Sequence, residues 1–449
     1  MNQELAFFLS GRLLLEEEIP FSLHDQPVRF LQGVSKEKNH YHCARCGNHS
    51  EELFAQFPCA RCGQICTYCR NCLMMGRVSE CSRLVCWIGP TPTKHEDGRL
   101  NWKGQLSKGQ RTASDAIVEA VQEHSEWLIW AVCGAGKTEV LFHGIETALQ
   151  AQKRVCIATP RTDVVLELAP RLQRVFPGVD VAALYGGSPD RHKYSSLVVT
   201  TTHQLFRFQE AFDVMIVDEV DAFPYSYDPA LQFAVQKSRK RNSSLIYSTA
   251  TPNEQWQTDC QLGKRNFIKI PARFHRHPLP VPYMRWCGRW QKAFTKGKIP
   301  PNVEEWLKTR LASGKQALLF FPHIDIMEQA LPLFQKLDPR VQAVHAEDPD
   351  RKTKVTLMRE KKLPFLLTTT ILERGVTFPN IDVAVIGAED DIFTESALVQ
   401  IAGRVGRSAD FPDGAVTFFH FGRTKAMLRA ISHVEAMNRE GRERGLIDE

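Results

Sequence analysis

The sequence predicts an α/β protein made of two parallel-sheet lobes preceded by a small cysteine-rich, zinc-binding domain. Short apolar runs alternate with helical stretches from about residue 105, and the alternation restarts after Lys298. Strands joined by crossover helices leave that pattern. Nine of the thirteen cysteines fall between Cys43 and Cys86, several in CxxC spacing, which in a large chain points to metal thiolates rather than disulfides. At 449 residues, 43% hydrophobic and 24% charged, the chain is too long for one ordinary domain and has the composition of a soluble protein with sizeable cores.

The elements follow in order. Residues 1–37 read as a slightly acidic lead-in, with a helix-like apolar run over 5–15 and an extended stretch after it. Residues 38–90 form the cysteine module, and the Gly/Pro/Thr-rich segment 91–104 is turn and linker chemistry. The first lobe spans 105–280, with strands expected at 127–133, 155–159, 197–201, 214–218 and 245–248. A basic linker covers 281–298. The second lobe spans 299–430, with strands at 317–321, 341–345, 364–368, 381–386 and 415–419, and 431–449 is a helical tail.

Apolar runs such as 128–132 fall far short of the roughly 18 residues a membrane span needs, and the start carries no basic segment followed by an apolar one. A cytoplasmic chain with no intrinsic membrane span is expected.

The net charge of +6 is concentrated. Segment 237–298 holds 14 Lys/Arg against Glu254 and Asp259, a local +12 that leaves about −6 on the rest. Trp256, Phe267, Phe274, Tyr283, Trp286, Trp290 and Phe294 interleave with those cations. Flat rings stack on unpaired bases at about 1–3 kcal/mol each while Lys and Arg track phosphates, so the strip suits single-stranded nucleic acid. Trp286 and Trp290, four residues apart, equally fit a linker helix packed on a lobe.

The chemistry-bearing motifs begin at Cys133-Gly134-Ala135-Gly136-Lys137-Thr138, between a strand and a helix. Glycines there let backbone N–H groups face phosphates, Lys137 neutralises β/γ charge, and the Thr138 hydroxyl ligates Mg²⁺. Ala131 stands where the strict pattern has Gly. About 80 residues on, an apolar strand delivers Asp218 to the Mg²⁺ shell, with Glu219 beside it to orient or deprotonate the attacking water. Gln110 resembles an adenine-reading glutamine, and 248–252 resembles a segment coupling hydrolysis to lobe movement. In Gln400-Ile-Ala-Gly403-Arg404-Val-Gly406-Arg407, the two arginines fall one helical turn apart, placed to act as fingers on a γ-phosphate across the cleft between the lobes. Glycines at 403 and 406 would each cost a merely structural helix about 1 kcal/mol against Ala.

In the cysteine block, Cys43-Ala-Arg-Cys46-Gly and Cys59-Ala-Arg-Cys62-Gly repeat a tight metal-binding turn, and Cys66, Cys69, Cys72 and Cys81 follow. Zinc takes four tetrahedral thiolates, so the eight allow one or two sites. Bare spacing alone makes a ribbon of Cys43, Cys46, Cys59 and Cys62.

With these ordered motifs, residues 105–408 resemble the superfamily 2 helicases and translocases. That resemblance implies two RecA-like lobes and nucleic-acid contacts by Thr159-Pro160-Arg161 and Thr201-Thr202-His203-Gln204 in the first lobe. In the second it implies contacts by Thr368-Thr369-Thr370 and Glu373-Arg374-Gly375-Val376. Tyr68-Cys69-Arg-Asn-Cys72 and its surroundings further resemble the four-cysteine motif of the late-competence ComFA family, whose order of parts this chain follows end to end. On that likeness Cys43, Cys46, Cys69 and Cys72 hold one zinc, and Cys59, Cys62, Cys66 and Cys81 are left for a second, interleaved one. The resemblance also implies ATP-driven uptake of single-stranded DNA at the inner face of the cell membrane, through the channel protein ComEC and with other competence proteins. Oligomeric state is left open, and backbone tracking admits RNA as well. Two other readings stand beside it: a replication-restart helicase resembling PriA, whose zinc binding lies within the second half of the motor, and an assembly scaffold whose ATPase is only a switch.

Overall fold

The computed structural model describes residues 2–38, 40–373 and 377–448. The chain falls into two compact units. The first takes in everything up to Ile268 except Leu106–Arg111 and Trp130–Lys137, and those two segments belong with Lys269 onward in the second.

The first unit opens with a helix at Gln3–Leu9. Gly11 then takes φ +68°, and a Cβ there would lie 2.6 Å from that of Ala211. This turn ends the helix, so the apolar run 5–15 is not one element: Leu13–Leu15 is a buried strand, β1. In order follow β2 (Val28–Gln32), β3 (Val34–Glu37), β4 (His40–Cys43), β5 (Phe54–Pro58), β6 (Ile65–Cys69), β7 (Val78–Ser79) and β8 (Arg83–Trp87). Strands β1 and β2 both pair antiparallel with β8. The expected lead-in is therefore one folded piece with the cysteine block, and no boundary falls at residue 37.

The lobe of this unit carries β9 (Glu126–Ala131), β10 (Val155–Thr159), β11 (Val181–Leu184), β12 (Leu197–Thr201), β13 (Phe212–Asp218), β14 (Arg239–Thr249) and β15 (Asn266–Ile270). They form one sheet in the order β11-β12-β10-β13-β14-β9-β15, with β10, β11, β12, β13 and β14 paired in parallel. Every residue of β10 and β12 is buried, as a sheet covered on both faces requires.

In the second unit, β16 (Tyr283–Trp286), β17 (Gln316–Phe320), β18 (Gln342–Val344), β19 (Phe365–Thr368), β20 (Ile381–Ile386) and β21 (Val416–His420) form a parallel sheet ordered β16-β21-β20-β17-β19-β18. The final helix runs Lys425–Glu443, starting before the expected tail. No helix among the described residues is long and apolar enough to cross a membrane.

The basic segment is not a linker strip. It begins with Lys237 in the last turn of the helix Pro229–Ser238, continues through the solvent end of β14, the helix Glu254–Gln261 and β15, and then supplies the edge strand β16 and the helix Trp290–Thr295. Trp290 is a correction to the stacking expectation. It is 2% exposed, and its Nε1 donates to Glu389 Oε1 at 2.7 Å. A Cβ on Gly387 would come within 2.1 Å of its ring, so the glycine is what lets the indole lie flat on the backbone. Trp286, at 60% exposure, keeps its ring in solvent. Trp290→Ala should cost about 3–5 kcal/mol of stability in chemical denaturation, and Trp286→Ala no more than about 0.5.

Candidate nucleotide site and metal centres

The phosphate loop follows β9. Gly134 and Gly136 take φ +82° and +73°, a region L side chains rarely adopt, and give the loop its tight turns, while the Ala135 N–H donates to Val132 O at 3.1 Å. Gln110 is 4% exposed and both ends of its amide are engaged. Its Nε2 donates to Ala135 O at 2.9 Å, and its Oε1 accepts from Ser107 N at 2.8 Å. In this arrangement it braces the loop rather than presenting a free amide to a base. Lys137 and Thr138 open the helix Lys137–Val140.

The same unit holds the arginine segment, which differs from expectation. The helix Glu395–Ala402 stops before the arginines, and Gly406 turns left-handed at φ +68°. Arg404 and Arg407 therefore lie on turns rather than one helical face. Arg404 is 1% exposed and donates Nε to Glu373 O at 2.8 Å, whereas Arg407 is more open and donates Nε to Gly403 O at 3.1 Å. Both glycines are sterically required, since a Cβ would meet Cys133 Cβ at 2.4 Å from Gly403 and Pro412 O at 2.0 Å from Gly406. The expected contacts at Arg374, Gly375 and Val376 lie outside the described residues.

Arg273, read in sequence as one more cation of the strip, is 1% exposed. Its guanidinium donates to the carbonyls of Cys133 (3.3 Å), Gly403 (3.4 Å), Val405 (2.7 Å) and Gly406. It ties the phosphate loop to the arginine segment. Burial pulls its pKa down to about 10, so it stays charged at neutral pH.

In the first unit, β13 ends at Asp218, whose Oδ1 is buried with no hydrogen-bond donor among the described residues. A carboxylate oxygen held this way fits a hard cation such as Mg²⁺. Glu219 sits at φ +56°, a conformation costing about 1–3 kcal/mol that recurs at functional sites. Asp221, which sequence reasoning passed over, accepts from Thr249 Oγ1 (2.7 Å) and Thr251 Oγ1 (2.6 Å), joining the acidic segment to 248–252.

Of the nucleic-acid residues, Thr159 and Thr202 are fully buried, with hydroxyls lacking a partner among the described residues. Their side chains do not present a surface to a strand. Arg161 lies 3.4 Å from Asp163 at 14% side-chain exposure. Thr369 occupies the position just before a short turn at Thr370–Leu372.

The cysteines gather into two sets, Cys43/Cys46/Cys69/Cys72 and Cys59/Cys62/Cys66/Cys81, each with its sulfurs within 4.8 Å of one another. Sulfur pairs stand at 3.7 Å (Cys43 and Cys72), 3.5 Å (Cys46 and Cys69) and 3.4 Å (Cys59 and Cys81). Tetrahedral zinc with bonds of about 2.3 Å spaces its sulfurs by about 3.8 Å, so the residues fit the metal. Gly47 and Gly63, at φ +71° and +70°, close the two knuckles, each donating to the carbonyl of its first cysteine at 2.8 Å. Both sets draw on β6. Cys66 and Cys69 are three apart, an odd offset that sends them to opposite faces of a strand.

The first set is wholly buried and the second partly exposed. Arg45 Nε donates to Cys72 Sγ at 3.5 Å and Asn48 Nδ2 to Cys69 Sγ at 3.7 Å, which orients the first set. Lys237 Nζ reaches Arg45 O (2.5 Å) and Phe206 O (2.9 Å), anchoring the knuckle on the lobe. Cys86 stays apart, with its thiol on Arg29 O at 3.7 Å. Metal analysis of purified protein should give two zincs per chain. Cys81→Ser should lose one with a small drop in melting temperature, and Cys43→Ser one with a drop of several degrees.

Comparison with known proteins matches three family descriptions: "Competence protein ComFA N-terminal domain" over residues 1–86, "Type III restriction enzyme, res subunit" over 103–254, and "Helicase conserved C-terminal domain" over 301–409. The competence protein ComFA of Bacillus subtilis is 49% identical over 97% of this chain and 96% of its own length. That of Streptococcus pneumoniae is 37% identical over 96% and 98%. Among solved structures, the Mycobacterium smegmatis helicase Lhr bound to ssDNA and AMP-PNP superposes with a TM-score of 0.54 at 16% identity, over 75% of this chain and 50% of that one, a likeness of fold.

Proposed function

The chain belongs to the competence protein ComFA family and is a superfamily 2 helicase-type, ATP-hydrolysing motor, and from that premise we propose that it translocates single-stranded DNA during uptake. The observation that carries this reading is the acidic strand end, with Asp218 Oδ1 buried and unclaimed and Asp221 bonded to Thr249 and Thr251. Three residues beyond Asp218, the same acidic segment is thereby hydrogen-bonded to the stretch expected to report hydrolysis.

In this mechanism Lys137 and the loop formed by Gly134, Ala135 and Gly136 take the phosphates. Thr138 and Asp218 would hold Mg²⁺, which would offset phosphate charge. Glu219 orients the attacking water, and its strained backbone fixes the carboxylate's direction. Arg407 is the finger that meets developing charge, while Arg404, anchored on Glu373 O, positions its segment. Trp286 offers a ring for an unpaired base, and Arg161 and Thr369 lie on the segments proposed to follow the backbone. Two zincs hold the N-terminal module. At the membrane the motor works on the inner face, and ComEC is the proposed channel.

Near-full-length identity to ComFA proteins favours this over the PriA-like reading. The scaffold reading predicts ATP turnover indifferent to DNA. Single-stranded DNA should raise turnover several-fold above duplex DNA or RNA, and a flat response would remove the translocase assignment. Lys137→Ala should abolish turnover with an unchanged circular dichroism spectrum. Trp286→Ala should weaken single-strand affinity by the ~1–3 kcal/mol of one stacked base, measured by fluorescence anisotropy.

A further inference from the structure

A cavity of about 390 Å³ lies at the seam between the N-terminal module and the first lobe. Arg12, Arg29 and Trp87 line it from the module, and Arg154, Tyr194 and Lys240 from the lobe. It opens at the edge of the sheet where strands begin, since Arg154 precedes β10 and Lys240 lies at the start of β14. Asp218, at the finishing end of β13, is five residues from Asp213 on this rim, about 17 Å along an extended strand. The cavity is thus separate from the site that handles ATP.

Its electrostatics are unbalanced. Arg12 is 2% and Arg154 6% exposed, and neither makes an ion pair among the described residues. Arg12 donates one N–H to Lys193 O at 2.8 Å, while its Nε and Nη1 are buried without acceptors. Arg154 donates to Ser195 O (2.9 Å) and Ser10 O (3.2 Å) and leaves Nη2 unaccepted. Two carboxylates also line the cavity and both are engaged, Asp213 by Lys240 and Glu210 beside Arg241, while Glu18 nearby serves Arg207 and Arg191. Aromatic faces soften the field, with Tyr194 4.5 Å and Phe212 5.0 Å from the Arg154 guanidinium and Phe8 5.4 Å from that of Arg12. They supply no negative charge. Burial and the neighbouring Arg154 pull the Arg12 pKa down to about 9, and Arg154 is lowered by burial as well.

We infer that this seam is a binding site for a small phosphate-bearing anion, either inorganic phosphate or the phosphate of a mononucleotide. The volume sits at the lower end of the ~300–1,000 Å³ typical of small-ligand sites, enough for a nucleoside monophosphate and too little for a strand. Phosphate oxygens supply the acceptors and the charge that buried guanidiniums lack, and Arg29 brings a further cation from the module wall. Bound there, the anion fastens the module to the lobe.

The test is calorimetric titration of the full chain carrying Lys137→Ala with inorganic phosphate, deoxyadenosine 5′-monophosphate and deoxyadenosine. The phosphate-bearing ligands should bind one per chain and raise the melting temperature, and the nucleoside should not bind. Equal affinity for the two phosphates marks the free anion as the ligand, and tighter monophosphate binding marks a nucleotide. Arg154→Met should weaken binding roughly tenfold or more. Arg29→Ala, an exposed change that leaves folding intact, should weaken it several-fold. Absence of saturable binding overturns the site. So does binding unchanged in Arg29→Ala, which would put the phosphate in the loop at 134–138.

Discussion

The parallel hydrogen-bond register of the first lobe is the constraint on which its chemistry depends. β10 aligns Thr159 with Thr201 of β12 and Ala158 with Val217 of β13, while β13 aligns Asp218 with Ser248 of β14. Four strands therefore finish at one edge, and residues from distant parts of the chain arrive there together. A one-residue slip would turn each of these side chains to the other face of the sheet. Asp221 can meet Thr249 and Thr251 because the register has already put the two strand ends side by side.

Arg273 plays the corresponding part in the second unit. A guanidinium donating to four backbone carbonyls recognises a shape rather than a residue, and the shape is set by Gly403 and Gly406. The glycines let the backbone come close, and the arginine satisfies the carbonyls that closeness buries. Arg404 and Arg407 gain fixed directions even though they lie past the end of their helix.

Much of this was legible in sequence because central parallel strands are continuous apolar runs and metal knuckles repeat. The phosphate loop needed only spacing and residue type, whereas spacing alone joined Cys43 and Cys46 to Cys59 and Cys62, and only the family resemblance gave the two groupings that the fold brings together. What escaped has a physical pattern. β15 and β16 are sheet edges, where half-exposed strands lose the apolar signature and carry cations, while β11 is an edge strand of four residues, apolar but too short to stand out as a run. Trp290 looked like a stacking ring because a base and a glycine backbone ask the same of an indole, and Gly387 and Glu389 lie almost a hundred residues on. Arg273 and the arginine turns depended on left-handed glycine geometry that a run of letters does not display.

The sharing of β6 between two thiolate sets has a consequence for how metal is taken up. One short strand supplies Cys66 to one set and Cys69 to the other, so occupancy of either fixes the strand that the other must use. Such linkage is reciprocal: the first ion to arrive lowers the ordering cost met by the second, and whatever one loss does to its neighbour's affinity holds equally in reverse. The second set is the one partly open to solvent, and β6 joins it to the buried set whose knuckle is seated on Lys237. Two zincs held on these thiolates would thus be coupled through one strand rather than clipped independently.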